Sequence, residues 1–255
     1  MRITNDKYLN QYQGLIGNQI DKLVELFDFA EKNTDLGYKT QASAVYSSNI
    51  EGNSIDLNSY MNFKLSPGKF KPHKEIQEIE NLILAYEYAQ SIPLSEKNFL
   101  QCHKIFAKTL VIKSKQGKYR DEKVGVFGQS GLVYLAIEPE LVKVTMGDFF
   151  VDLGALLKME LSKPEAFYFA SLIHLKFAHI HPFRDGNGRA ARLLEKWFLA
   201  EKLGKDLWKL SSEKYYKEHQ TDYYKNINLG VNYYELNYDK CIPFLLMLPR
   251  SLENK

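Results

Sequence analysis

"HPFRDGNGRAAR", residues 181 to 192, places an imidazole, a carboxylate, two glycines and three guanidiniums within twelve consecutive positions, and it ends on two arginines three apart. His181 is the one side chain here whose charge changes near neutral pH, so it can act as a base. Asp185 suits a hard divalent cation such as Mg2+, which takes few protein ligands when phosphates supply the rest. Gly186 and Gly188 carry no side chain to block an approaching anion. Arg189 and Arg192 lie three apart, so on a helix they share a face, and their planar forks match phosphate oxygens. The chemistry in view is a phosphate cradle, a metal anchor and a base. It is not a Walker A loop, which needs GxxxxGK and a following Ser or Thr after a strand.

The elements that position these residues follow from periodicity. "SKPEAFYFASLIHLKFAHI" begins with Ser162 as a cap and is apolar on most sides, which predicts a buried central helix. A second helix is expected from about Asn187 to Leu203, closed by Gly204. The signature is then a turn opening a helix, where about four unpaired N–H groups and a partial positive charge favour an anion. Upstream, helical spacing runs from Tyr8 to Glu31, over "TQASAVYSSNI", over "HKEIQEIENLILAYEYAQSI", and from Ser95 with Phe99, Cys102, Ile105 and Phe106 inward. Between Asp56 and Pro72 the pattern fails, and "FKLSPGKFKPHK" reads as a solvated loop. "KVGVFGQSGLVYLAI", residues 123–137, is rich in β-branched and aromatic residues and breaks at "GQSG", a hairpin signal. Helical period returns from Pro139 to about Glu160, and two further helices are expected over 212–229 and 240–248.

Composition bounds the function. The chain has 255 residues with 34 basic and 31 acidic side chains, a net charge of +3. That balance gives no bulk-charge argument for nucleic acid or a membrane surface. Two cysteines, Cys102 and Cys241, offer neither a disulfide framework nor a CxxC metal site. The start "MRITNDKYLN" has no apolar signal region, and no apolar run approaches the roughly 18 residues of a membrane span. A cytoplasmic protein is the expectation.

The full order His-Pro-Phe-x-Asp-Gly-Asn-Gly-Arg-x-x-Arg resembles the signature of the Fic (filamentation induced by cAMP) family. That resemblance implies an all-α fold, a Fic-type helical bundle with one β-hairpin flap. It implies a nucleotidyltransferase that moves AMP from ATP onto a Ser, Thr or Tyr hydroxyl of a target protein. By matching position, His181 is the general base and Asp185 binds Mg2+. Phe183 fixes the loop from within, Gly186, Asn187 and Gly188 form the anion hole, and Arg189 and Arg192 hold the outer phosphates. Gly188 stands where a kinase-like sister group has lysine, which favours nucleotidyl transfer. "GKYRDEKVGVFGQSGLVYLAI" resembles the family's flap, on which the target protein lies as an added strand; Val124, Val126 and Tyr134 are its candidate docking residues. "SSNIEGN", residues 47–53, resembles the family's inhibitory motif. Ser47 and Glu51 are one turn apart, and the resemblance pairs Glu51 with Arg192. Tyr223 and Tyr224 resemble a tyrosine pair near the nucleotide base.

Other readings stay open here. The same cradle serves UTP, GTP or a diphosphate-linked choline, and a non-catalytic Fic-like protein would use the hairpin to bind a partner. Glu51 can in such proteins position a water for removal of AMP, so writer, eraser and both are all allowed. His174 and His179 point about 140° apart on a helix, which argues for packing or hydrogen-bonding roles over a shared metal. Tyr216, Gln220, Tyr223 and Ile227 fall on one stripe, which reads as core. The expected organisation is an N-terminal helical region over 1–92 carrying the inhibitory helix at about 39–52. A catalytic core over 93–230 and a C-terminal helical segment over 231–255 follow. The short remainder after Leu229 leads us to expect no DNA-binding domain, and the resemblance allows a homodimer.

Overall fold

Apolar residues at three- and four-residue steps organise the N-terminal third. The computed structural model describes residues 1–66, 74–128 and 131–253. It begins with α1 (Leu9–Tyr12), a π-helical turn over Gln13–Gly17, and α2 (Asn18–Glu31). The single helix expected from Tyr8 to Glu31 is therefore interrupted where Gly14 and Gly17 make a wider turn inexpensive. Next, α3 (Leu36–Ile50) starts at Asp35, whose carboxylate accepts from Tyr38 N at 2.7 Å. It starts earlier than the expected residue 39, and Glu51 is its cap rather than its last turn. A helix α4 (Leu57–Leu65) forms where none is expected. Asp56 caps it by accepting from Ser59 N at 2.8 Å, and it buries only Tyr60, so its sequence shows little period. The rest of that Lys-rich stretch, residues 67–73, lies outside the described residues.

The middle of the chain follows the expected plan. It runs through α5 (Lys74–Ser91) and α6 (Glu96–Phe106) to an antiparallel hairpin of β1 (Gly125–Gly128) and β2 (Gly131–Leu135). Val126 pairs with Tyr134 and Phe127 with Leu132, with a bulge between Val126 and Phe127. Gln129 and Ser130 of the turn lie outside the described residues. The outer edge of β2 is covered, because Leu135 N donates to Val231 O at 2.9 Å.

Then come α7 (Pro139–Lys158), α8 (Lys163–Ile180) and α9 (Asn187–Leu203). Ser162 and Glu165 form a reciprocal capping box at the start of α8. This helix buries residues on every side, including Phe167, Leu172, Leu175 and Phe177, as its all-round apolar sequence requires. It packs against α9, and the signature is the turn between them. The helix expected over 212–229 splits at His219 into α10 (Ser212–Glu218) and α11 (Gln220–Ile227). The last expected helix is likewise two short pieces, α12 (Ile242–Leu245) and α13 (Met247–Arg250). One continuous core runs from Ile3 to Leu248 through the helices.

Candidate active site

The signature turn is held in a strained shape by its neighbours. His181 caps α8 with φ 51°, and it is the one non-glycine at positive φ among the described residues. Such a conformation costs about 1–3 kcal/mol and persists only where surroundings impose it. Arg120 imposes it here. Its Nε donates to His181 O at 2.8 Å and its backbone N–H to Pro182 O at 2.8 Å. Its Nη2 donates to Ile137 O at 2.5 Å, so the flap root is tied to the same residue. Sequence reasoning noted Arg120 only as part of the flap's resemblance; an arginine surrounded by carbonyl acceptors leaves no pattern in one dimension.

His103 of α6 holds the other side of the turn. Gly117 N–H donates to Nδ1 at 2.9 Å, so the proton sits on Nε2, which donates to Asp185 O at 3.1 Å. Its ring stacks on Phe183 at 3.6 Å. Gly117 has φ 66°, and a Cβ there would stand 2.8 Å from Leu100 O. Only glycine lets that N–H reach the imidazole. Burial pushes the His103 pKa down to about 4, so the ring stays neutral. The amphipathic pattern of α6 pointed to Phe99, Cys102, Ile105 and Phe106; Ile105 is half-buried and the other three are buried, and the pattern did not single out His103 among them.

His181 lines a cavity of about 660 Å3 together with Glu51, Gly52, Val126, Gly188 and Tyr224. Its Nδ1 lies 3.2 Å from Ala178 O, an acceptor only, so Nδ1 carries the proton and Nε2 the lone pair. Burial lowers the pKa of His181 and the Arg120 charge adds to it, together outweighing the raising effect of the Ala178 carbonyl and smaller ones from Glu51 and Asp185. The ring is thus a neutral base at neutral pH.

The turn between α8 and α9 is built on two glycines and Asn187. Gly186, at φ 82°, precedes the first residue of α9, and a Cβ there would lie 2.7 Å from the Phe106 ring. Asn187 folds its side chain back, Oδ1 accepting from Phe183 N at 2.8 Å and Nδ2 donating to Phe183 O at 2.9 Å. Phe183 is fully buried, so it supports the turn and presents nothing to a ligand. A Cβ on Gly188 would collide with Glu51 Oε1. The Glu51 carboxylate therefore sits over the opening of α9, where an anion is favoured.

Glu51 Oε1 accepts from Arg192 Nη2 at 2.7 Å. Burial works to raise the Glu51 pKa, but the Arg192 and Arg189 charges and the hydrogen bond outweigh it and hold the carboxyl below its usual range. Arg192 is fully buried, and Arg189 is nearly so. Arg189 Nη2 is 3.5 Å from Glu78 Oε2, and its Nε has no partner among the described residues. Asp185 is exposed, with Oδ1 accepting from Gly186 N at 2.5 Å. An unpartnered buried guanidine N–H, a bare glycine cradle and one hard carboxylate fit a magnesium-bound polyphosphate, since Mg2+ keeps waters and phosphate oxygens as ligands. Among the described residues no cluster of three His, Cys, Asp or Glu could hold a metal by itself.

The other candidates are placed as follows. Tyr223 is buried, and its hydroxyl lies 2.9 Å from His174 Nε2 and accepts from Arg192 Nη1 at 3.2 Å. It backs the arginine and, with Tyr224, lines the cavity; Tyr224 OH donates to Ile50 O at 2.8 Å. Tyr216 is buried, in keeping with the stripe read as core. His174 Nδ1 is 2.8 Å from Glu195 Oε2, and His179 contacts Tyr238 OH and Ile227 O. On the flap, Val126 is exposed, whereas Val124 is half-buried and precedes β1. Tyr134 turns inward and donates to His179 O at 2.5 Å, so its side chain does not lie on the exposed face of the hairpin. In its place the structure presents Phe127, which is 73% exposed.

Fold and site together define a helical domain with a hairpin beside the glycine-bearing turn that opens α9. Residues 93–199 match the model of the Fic/DOC family, so the chain carries a Fic/DOC domain over that stretch. Solved structures share the fold. A Fic family protein from Desulfovibrio desulfuricans aligns with TM-score 0.76 at 24% identity, over 95% of this chain and 72% of that one. A Fic domain containing signaling protein from Bacteroides thetaiotaomicron gives TM-score 0.65 at 20% identity, over 97% and 93%. Fic-1 from C. elegans gives TM-score 0.67 at 18% identity, over 92% and 68%. No helix among the described residues is long and apolar enough to cross a membrane.

Proposed function

We propose that the protein is a protein adenylyltransferase held inactive by its own Glu51. His181 Nε2 takes the proton of a Ser, Thr or Tyr hydroxyl on a target protein. The hydroxyl oxygen attacks the α-phosphorus of ATP, the bond to the bridging oxygen of the β-phosphate breaks, and pyrophosphate leaves. Backbone N–H groups at Gly186–Gly188 and the guanidiniums of Arg189 and Arg192 stabilise the charge, which is the larger part of catalysis in such transfers. Mg2+, when bound through Asp185 and phosphate oxygens, neutralises further charge. The target lies along β1, the edge of the hairpin that the 231–232 segment leaves unpaired.

The observation that carries this reading is the Glu51 carboxylate over Gly188, paired with Arg192. It supports both an anion site at the start of α9 and a built-in competitor for it. An ion pair near 4 Å at an effective dielectric of 20 is worth roughly 4 kcal/mol, or nearly three decades, before desolvation and salt reduce it. The test is incorporation of label from α-labelled and γ-labelled ATP into protein. Glu51→Gly should incorporate far more α-label than the native chain and no γ-label, and Glu51→Gly with His181→Ala should incorporate neither. Intact-mass measurement with ATP, GTP, UTP and a diphosphate-linked choline identifies the donor. Transfer that survives loss of the imidazole, or no gain on removing Glu51, would refute the proposal.

A further inference from the structure

Arg192 is fully buried, and a guanidinium has five N–H donors to place. Nε donates to the Ser47 hydroxyl at 2.9 Å and Nη2 to the Ser47 carbonyl at 2.9 Å. Nη1 donates to Tyr223 OH at 3.2 Å. The other proton of Nη2 goes to Glu51 Oε1. Glu51 therefore engages one donor of the five. If its carboxylate moves away, three bonds still fix the plane of the guanidinium. One free N–H then remains on each terminal nitrogen, the fork that a phosphate accepts from.

The seat of the arginine is rigid. Ser47 is fully buried in α3, beside buried Ala44 and Val45. One turn earlier, Ser43 accepts from Lys196 Nζ at 2.7 Å, and a turn before that Thr40 accepts from Gln90 Nε2 at 2.9 Å. Ser43, Ser47 and Glu51 are spaced by four on one chain segment, Arg192 and Lys196 by four on the other, so α3 meets α9 in a row of polar contacts. Glu51 differs from the two serines. It stands beyond the last residue of α3 with its side chain 28% exposed, and Gly52 follows at φ 93° with nothing close to where a side chain would be. Moving all of α3 would break every one of these contacts, whereas moving Glu51 breaks one ion pair.

We propose that Ser47 is a positioning residue of the nucleotide site and not part of the inhibitory device. In the active protein α3 stays docked, Ser47 holds Arg192 ready for the outer phosphates, and only the Glu51 turn moves. This rests on the reading that Arg192 binds phosphate and Glu51 blocks it.

The two roles of Ser47 predict opposite signs. A serine that helps inhibition would, on replacement by alanine, activate the native chain. A serine that seats the arginine would leave the native chain inactive, and in the Glu51→Gly background would weaken ATP. For Ser47→Ala in that background we expect KM for ATP to rise about tenfold, the effect of one hydrogen bond to a charged group, with kcat within about twofold. Calorimetric Kd for a non-hydrolysable ATP analogue should rise by the same factor, and Ser47→Thr, which keeps the hydroxyl, should restore both. Activation of the native chain by Ser47→Ala, or unchanged ATP affinity in the double variant, overturns the inference. If Glu51→Gly alone neither binds ATP nor transfers AMP, the proposed function fails first and this inference falls with it.

Discussion

At the scale of the residue, His181 combines a left-handed backbone with a ring whose proton is assigned by one carbonyl. Burial and the Arg120 charge lower its pKa, and Glu51 is among the groups that raise it. Removing Glu51 therefore moves the pKa further down. A base must be unprotonated, so activity is lost as pH falls through the pKa of the folded protein. We predict that the rate of Glu51→Gly is flat above pH 7 and has one acidic limb with a midpoint below the ordinary imidazole value of about 6.5. A pH–rate profile checks this; a limb centred above 7 would mean that a different group accepts the proton. Glu51 itself is ionised over that whole range, because Arg192 and Arg189 hold its pKa down. Mild acid alone should therefore leave the native chain inhibited, since the carboxylate keeps its charge and its pair with Arg192.

At the scale of the element, each part of the site comes from where one helix stops and the next starts. Such boundaries are legible in sequence when a capping residue or a glycine marks them. Ser162 with Glu165, Gly204, and the glycines of the signature all did so, and α8 and α9 stand where periodicity put them. Replacement of Ser162 by alanine should cost about 1 kcal/mol and lower Tm by roughly 2–4 °C, readable by calorimetry. Where the pattern misled, the cause is local. Helix α4 buries a single residue, so it lacks an apolar stripe. The break at His219 follows no proline or glycine. The inward turn of Tyr134 depends on an acceptor, His179 O, that comes from another element. On the flap, Phe127 is the large apolar side chain left exposed on β1, the open edge. Phe127→Ala should raise KM for a target protein several-fold while leaving the ATP affinity of Glu51→Gly unchanged; an equal loss in ATP affinity would place this ring in the nucleotide site instead.

Across the whole molecule, one core joins the N-terminal helices to the signature, so the segment that carries Glu51 is not a detachable arm. A buried pair shows this most clearly. Lys196 Nζ donates to Glu213 Oε2 at 2.5 Å and to Ser43, and Tyr86 OH donates to Glu213 Oε1 at 2.7 Å, so α3, α5, α9 and α10 meet at one pair of charges. Burial works to lower the Lys196 pKa and to raise that of Glu213; in Glu213 the lysine's charge prevails and its carboxyl is held down. Lys196→Met would leave Glu213 buried without its counter-charge, a loss of about 3–5 kcal/mol. We expect Tm to fall by roughly 10 °C or more, with much of it recovered by Lys196→Met combined with Glu213→Gln. Sequence alone could not reveal this pair, since its four elements converge only in the folded chain.

The most direct measurement is a crystal structure of Glu51→Gly with a non-hydrolysable ATP analogue and Mg2+. Our account places the triphosphate along the opening of α9, its outer phosphates on Arg189 and Arg192 and its α-phosphorus within reach of His181 Nε2. An ordered triphosphate bound anywhere else, with that turn left bare, would contradict it.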